Sequence, residues 1–133
     1  MNRIEMKEFA DSWISGWNNH DLDSILAHYE EDIVLYSPMI VPVTGEAKSS
    51  VTGRVALRAY WKQALKLAPD LQFDLQSVLL GNDALTILYR NQVGRAASET
   101  FVFTEKNLVA LSVATYATPQ SIEDRRLTAV ECQ

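Results

Sequence analysis

The spacing of apolar positions changes period near the middle of the chain. From Ile4 to Trp17 the apolar residues are Ile4, Phe9, Ala10, Trp13, Ile14 and Trp17. Phe9, Trp13 and Trp17 lie four apart and Ala10 and Ile14 fill the adjacent row, which predicts a helix with one broad apolar stripe. Gly16 lies on this helix and permits a close approach by another backbone. Asn18-Asn19-His20 interrupts the pattern. Asp21 is a good N-cap for a second helix over Leu22 to Tyr29. Ile33 to Tyr36 has strand composition and ends at Pro38. Residues 38 to 53, with Pro38, Pro42, Gly45 and Gly53, read as a long loop or a loose hairpin of the kind that often forms a lid or mouth. A third helix follows from Arg54 to Leu67. Its apolar face is Leu57, Trp61, Ala64 and Leu65, continued by Ala68, and Pro69 stops it. Arg54, Arg58, Lys62 and Lys66 form its solvated face.

After Pro69 the period becomes two. Leu71, Phe73 and Leu75 alternate with Gln72, Asp74 and Gln76, predicting a half-buried strand toward Leu80. Further strands are expected over Ala84 to Gln92, Arg95 to Phe103 and Leu108 to Thr118, with turns at Gly81-Asn82-Asp83, Val93-Gly94 and Thr104 to Asn107. Four strands joined by short turns make an antiparallel meander. Helices first and strands afterwards imply an α+β domain with helices on one sheet face. The segment 119–133 has no clear period and reads as a flexible end or an arm laid across a partner.

With 133 residues the chain fits one domain with one core. The formal net charge of -5 argues against nucleic acid and anionic membranes as partners. The single cysteine, Cys132, excludes an internal disulfide and makes a reducing compartment the default. No apolar signal core and no run of transmembrane length is present, so a cytoplasmic location is expected. Two distant histidines and one cysteine give no metal-ligand spacing, and no phosphate loop or nucleophile elbow appears. No cofactor is expected.

Several motifs recur in a fixed order: a helix, His20-Asp21-Leu22-Asp23, a helix, Glu31-Asp32, a strand ending in Ser37-Pro38, then Gly53 and Ala56-Leu57-Arg58-Ala59-Tyr60-Trp61. Over about residues 5 to 118 this resembles the nuclear transport factor 2-like superfamily, within it the SnoaL-like polyketide cyclase and ketosteroid isomerase branch. The resemblance implies a cone-shaped, cystatin-like α+β fold. A strongly curved antiparallel sheet wraps three helices, a pocket opens at the wide end, and members commonly form homodimers through the outer sheet face. In the isomerase branch an Asp at the end of the first strand is the base, and a Tyr on the first helix and a protonated Asp on a late strand form the oxyanion hole; that enzyme is a standard example of tuned carboxyl pKa values. Carried onto this chain, these positions fall on Ser37, Trp13 and Glu99. Serine is no base near neutral pH without a partner, and Trp offers one N–H donor and no titratable proton. The familiar isomerase reaction is therefore disfavoured. Relatives that hydrolyse limonene epoxide need an Asp-Arg-Asp arrangement, for which Arg90 and Glu99 are the only comparable strand pair here.

Glu99 remains the best catalytic candidate. If Val93-Gly94 is a two-residue turn, residue 90 pairs with 97 and 88 with 99, which makes Arg90 and Glu99 diagonal neighbours on one face with Phe101 and Phe103. Arg90 would then tune a general acid or base at Glu99; the bland alternative is a half-exposed salt bridge. The candidate ligand contacts are Trp13, Trp17, His28, Tyr36, Ser37, Trp61 and Phe101, because pockets are lined mainly by aromatic and apolar groups. His20 reads as a surface turn residue. The chain is thus expected to be either a cofactor-free isomerase, cyclase, dehydratase or hydrolase acting on a small apolar molecule, or a non-catalytic binding or dimerisation module. A targeting role rests on fold analogy alone.

Overall fold

In a computed structural model, which describes residues 1–118, the helices line one face of a six-stranded, unclosed sheet. The first helix, α1 (Arg3–Asn18), starts at a capping box in which the Asn2 side chain accepts from Glu5 N–H and the Glu5 side chain accepts from Asn2 N–H. Its buried stripe is Met6, Phe9, Ala10, Trp13, Gly16 and Trp17. Asp21 caps α2 (Leu22–Leu26) through Ser24 N–H. Strand β1 (Tyr29–Tyr36) follows, then α3 (Ile40–Thr44), β2 (Ser50–Thr52) and α4 (Arg54–Leu67). The meander is β3 (Asp74–Leu80), β4 (Ala84–Arg90), β5 (Ala96–Phe103) and β6 (Val109–Tyr116). Strand order is β2-β1-β6-β5-β4-β3, antiparallel at every pairing except β1 with β6. That parallel pair needs no local turn, because the rest of the chain lies between its strands.

Three segments differ from the pattern-based expectation. The second helix stops at Leu26 and β1 begins at Tyr29 rather than at Ile33. Glu30-Glu31-Asp32 have low strand propensity and sit where the pairing of β1 with β6 is irregular, so the alternation is unreadable there. Residues 38 to 53 do form a loose hairpin, with Val34 opposite Thr52, but a short helix is set within it. Gly53 ends it at φ 91°, a conformation that favours glycine, and donates to Ile33 O at 2.7 Å. Leu71 to Phe73 precede β3 instead of starting it. Asn18 takes up the backbone of Phe73, accepting from its N–H (2.6 Å) and donating to its carbonyl (3.0 Å). His20, exposed as expected, donates to Leu71 O at 3.0 Å. These contacts lock the end of α1 to the entry of the meander. The tail 119–133 lies outside the described residues.

The core fills the space between α1, α4 and the inner sheet face. Trp13 is its centre, with ring contacts to Trp17, Phe73, Tyr89 and Phe101 at centroid separations of 5.3–6.2 Å. Phe9 packs edge-on against Phe101 and Phe103. Edge-to-face pairs of this kind add about 0.5–1.5 kcal/mol each beyond area burial. The close approach expected at Gly16 is made by a side chain, not by backbone. A methyl placed there would lie 2.7 Å from Ile25 Cγ1 on α2.

Gly16→Ala therefore sets about 1 kcal/mol of helix propensity against an overpacking cost of roughly 1–3 kcal/mol. Because Ile25 is fully buried and has nowhere to move, a net loss of stability is expected in urea unfolding. A gain would show that the α1–α2 contact is loose.

Candidate functional site

The β4–β5 connection decides which side chains face inward. Arg90 pairs with Ala96, and Asn91 and Arg95 close a three-residue loop, Gln92-Val93-Gly94, through Asn91 N–H to Arg95 O at 2.9 Å. Gly94 adopts φ 80°, the left-handed residue such loops require. The loop is one residue longer than the two-residue turn expected from Val93-Gly94, and a one-residue slip exchanges the faces of one strand relative to the other. Glu99 is consequently opposite Ile87 and Ala114, on the inner face. Arg90 is on the outer face, exposed, and donates to Gly94 O at 2.9 Å. The expected Arg90–Glu99 pair does not exist.

Around Glu99 the inner face carries one small residue, Ala114, directly opposite on β6, the bulkier Ile87 opposite on β4, and hydroxyls diagonally. Ser112 and Tyr116 flank Ala114, and Tyr89 flanks Ile87. The small side chain of Ala114 leaves room, and a cavity of about 320 Å³ occupies it. Its walls are Trp13 and Trp17 of α1, Tyr60 and Trp61 of α4, Phe73, and the β4–β6 residues Tyr89, Glu99 and Tyr116. The segment after β1 contributes Ser37, Met39, Pro42 and Val43, so the expected lid segment does border the cavity. Leu35, Ala64, Leu67, Ala68, Leu71, Asn91 and Gln92 complete the lining, and Leu67, 65% exposed, marks the opening.

Glu99 is 5% exposed, and the Ser112 hydroxyl donates to its Oε2 at 2.7 Å. Among the described residues no cation lies within ion-pair distance of it. Burial penalises the carboxylate and pushes its pKa up to about 7, with the Ser112 hydrogen bond partly opposing the rise. Four phenols surround it. Desolvation raises Tyr29, Tyr60, Tyr89 and Tyr116, and the Glu99 charge raises each of them further. Ser37 sits between Tyr60 and Tyr116, and its hydroxyl tempers both shifts. The same Oγ accepts from Met39 N–H at 3.1 Å, so Ser37 both ends its strand and faces the cavity.

Of the nine residues singled out from sequence, the fold brings five together around the cavity: Glu99, Trp13, Trp17, Ser37 and Trp61. Four lie elsewhere. Arg90 faces outward, for the reason given above. Tyr36 alternates with inward Leu35 and is 44% exposed beside a shallow outer depression. Phe101 points inward but is fully covered by Phe9 and Trp13. His28, outside the helix that was to carry it, contacts Ser12 Oγ through Nε2 at 3.2 Å and packs against Phe9; burial lowers its pKa. Trp13, although in the wall, has already committed its indole N–H to Tyr29 Oη at 3.0 Å. Trp17 Nε1 and Gln92 Oε1 are instead buried without a hydrogen-bond partner among the described residues. Tyr60, Tyr89 and Tyr116 were not among the nine residues. The positions of Tyr89 and Tyr116 at i and i+2 from other inward residues on β4 and β6 carried the signal, once the register was known.

Residues 10–124 match the model of the SnoaL-like domain. The chain belongs to the SnoaL-like family, of nuclear transport factor 2-like, cystatin-like fold. A SnoaL-like protein of unknown function from Burkholderia thailandensis is 38% identical, with a TM-score of 0.81 over 88% of this chain and 98% of that one. A cystatin-like protein of unknown function from Methylobium petroleophilum is 17% identical (TM-score 0.72; 92% and 82% of the two chains). A Kribbella flavida protein provisionally assigned as a ketosteroid isomerase is 15% identical (TM-score 0.69; 89% and 82%). The last two likenesses concern the fold alone. No functionally curated protein matches the sequence. No helix among the described residues is long and apolar enough to cross a membrane.

The raised pKa of Glu99 has a stability consequence. Its proton is lost near 4.5 in the unfolded chain and near 7 in the folded one, so the native state holds the extra proton between these values. The contribution is fully present below about pH 4.5 and is lost as pH rises to about 7. Glu99→Gln removes it. The variant is expected to gain on the wild type across that window, by an amount on the order of 3 kcal/mol above it. Urea titrations of both proteins from pH 4 to 8 check this; parallel stability curves would mean Glu99 ionises as in solution.

Proposed function

We propose that the cavity binds a small, largely apolar carbonyl compound and that Glu99 moves a proton to or from it without a cofactor, as an isomerase, cyclase or dehydratase does. The carrying observation is a buried carboxyl with no cationic partner among the described residues, set in an aromatic wall beside an opening. Such a group has no stabilising role that an apolar residue would not fill better, and its proton affinity suits transfer near neutral pH. As carboxylate, Glu99 removes a proton from the carbon next to the carbonyl. The C–H electron pair becomes the C=C bond and the carbonyl π pair moves to oxygen. The protonated Glu99 then returns the proton to the same carbon or to a conjugated one, so nothing is consumed. Arg90 has no part in this.

A second reading is a binding module without catalysis. It is favoured by Ser37, which stands where isomerase relatives place their base, and by Trp13, whose N–H is occupied by Tyr29. One experiment separates the two. With 2-acetylnaphthalene in D2O, the wild type is expected to accelerate deuterium entry into the methyl group, and Glu99→Gln to lose about 10²–10⁴-fold of that rate. Indole N–H signals of the protein report binding independently. Shifted indole signals with exchange no faster than buffer would leave only the binding module; unshifted signals would remove both readings.

The reading includes a second copy of the chain as partner, through the outer sheet face. Apart from Arg90 at the end of β4, the residues that face carries on β4–β6 include Thr86, Leu88, Ser98, Thr100, Val102, Leu111, Val113 and Thr115, these eight uncharged, and Val102 is 38% exposed. Val102→Lys is expected to convert a dimer to a monomer in sedimentation velocity. A wild type that sediments as a monomer would defeat this.

A further inference from the structure

We infer that Tyr60 and Tyr116, with Ser37 between them, form a hydroxyl cradle that selects an uncharged ligand and grips its acceptor oxygen. This rests on the proposal that the cavity is a ligand site, but not on catalysis there. Three strands of evidence converge on it. The first is placement: a helix (α4), a strand (β6) and the turn after β1 each contribute one hydroxyl to the same wall, beside Glu99. Residues 23 to 79 places apart in sequence meet there only through the tertiary fold.

The second is charge. Among the described residues the lining holds a carboxyl, three phenols, a serine, two amides and aromatic or apolar groups, and not one Lys, Arg or His. An anionic ligand would meet no counter-charge and would face Glu99 across a medium of low polarity. A neutral ketone, ester or quinone oxygen has the matching need, because it only accepts. The third is donor state. Burial and the Glu99 charge both hold the phenols of Tyr60 and Tyr116 in the protonated form, so each keeps a hydrogen to donate. Tyr89 lines the same wall, and its hydroxyl interacts with that of Tyr116. Hydroxyls held in place by their neighbours favour a ligand that brings an acceptor oxygen over one that lacks it.

The test uses three probes of one shape: 2-acetylnaphthalene labelled with ¹³C at the carbonyl, 2-naphthoate, and 2-ethylnaphthalene. At pH 8 the ketone is expected to bind at least tenfold more tightly than the carboxylate. Its carbonyl signal is expected downfield of its position in water, and to move back upfield in Tyr60→Phe/Tyr116→Phe. The double variant keeps both rings, and Ser37→Ala provides a milder second case, with a smaller upfield movement. If the double variant weakens ketone binding but not binding of the hydrocarbon, the cradle stands. A carbonyl signal unchanged by either variant, equal weakening of ketone and hydrocarbon, or preferred binding of naphthoate would each overturn it. Glu99→Gln keeps the two proposals apart: it should abolish deuterium exchange and leave the carbonyl signal downfield. Exchange that depends on Glu99 beside a carbonyl signal indifferent to the phenols would refute the cradle alone.

Discussion

The register of the β4–β5 hairpin governs the interior of this protein. Gly94, at φ 80°, lets the chain close a three-residue loop, and Arg90 thereby meets Ala96 rather than Ala97. From that single pairing follow the inward directions of Tyr89, Ala97, Glu99 and Phe101. Side chains alternate with a period of two, so no local adjustment could turn Glu99 outward without moving its whole strand. The cost of burying a carboxyl is carried by the many apolar contacts that fix the same register, among them Phe101 against Phe9 and Trp13.

The aromatic wall and the polar patch depend on each other. Trp13, Trp17, Trp61 and Phe73 exclude water from one side of the cavity, and this exclusion raises the proton affinity of Glu99 and of the phenols around it. In turn, Ser112, Ser37 and Tyr29 satisfy polar atoms that the aromatics would otherwise strand. Trp17 Nε1 and Gln92 Oε1 are left over from this accommodation. Both belong to the cavity wall, where an unpaired polar atom costs least if a ligand can reach it.

Membership of the SnoaL-like family and the shape of the fold say little about chemistry, because the same frame carries different polar residues in different relatives. Here the frame holds a serine at the end of β1 and a tryptophan in the first helix, and it moves its hydroxyls to α4 and β6.

Much of the architecture was legible in the chain. The i, i+4 stripe of Phe9, Trp13 and Trp17, the cap at Asp21, and the switch to period two after Pro69 specify the main helices and the meander, since each is a local preference. Glu99 was legible too, as a lone acid among apolar strand neighbours. What the sequence left open was non-local. Arg90 and Glu99 looked adjacent because a two-residue turn was assumed at Val93-Gly94, and loop length is settled by how two strands fit against the rest of the sheet. His28 and Tyr36 lie next to inward residues and were drawn into the pocket, yet face elsewhere because each is one position out of phase. The cradle of Ser37, Tyr60 and Tyr116 has no sequence signature at all. Local periodicity tells each element which face to bury, but only the packing of distant elements decides which polar groups meet inside.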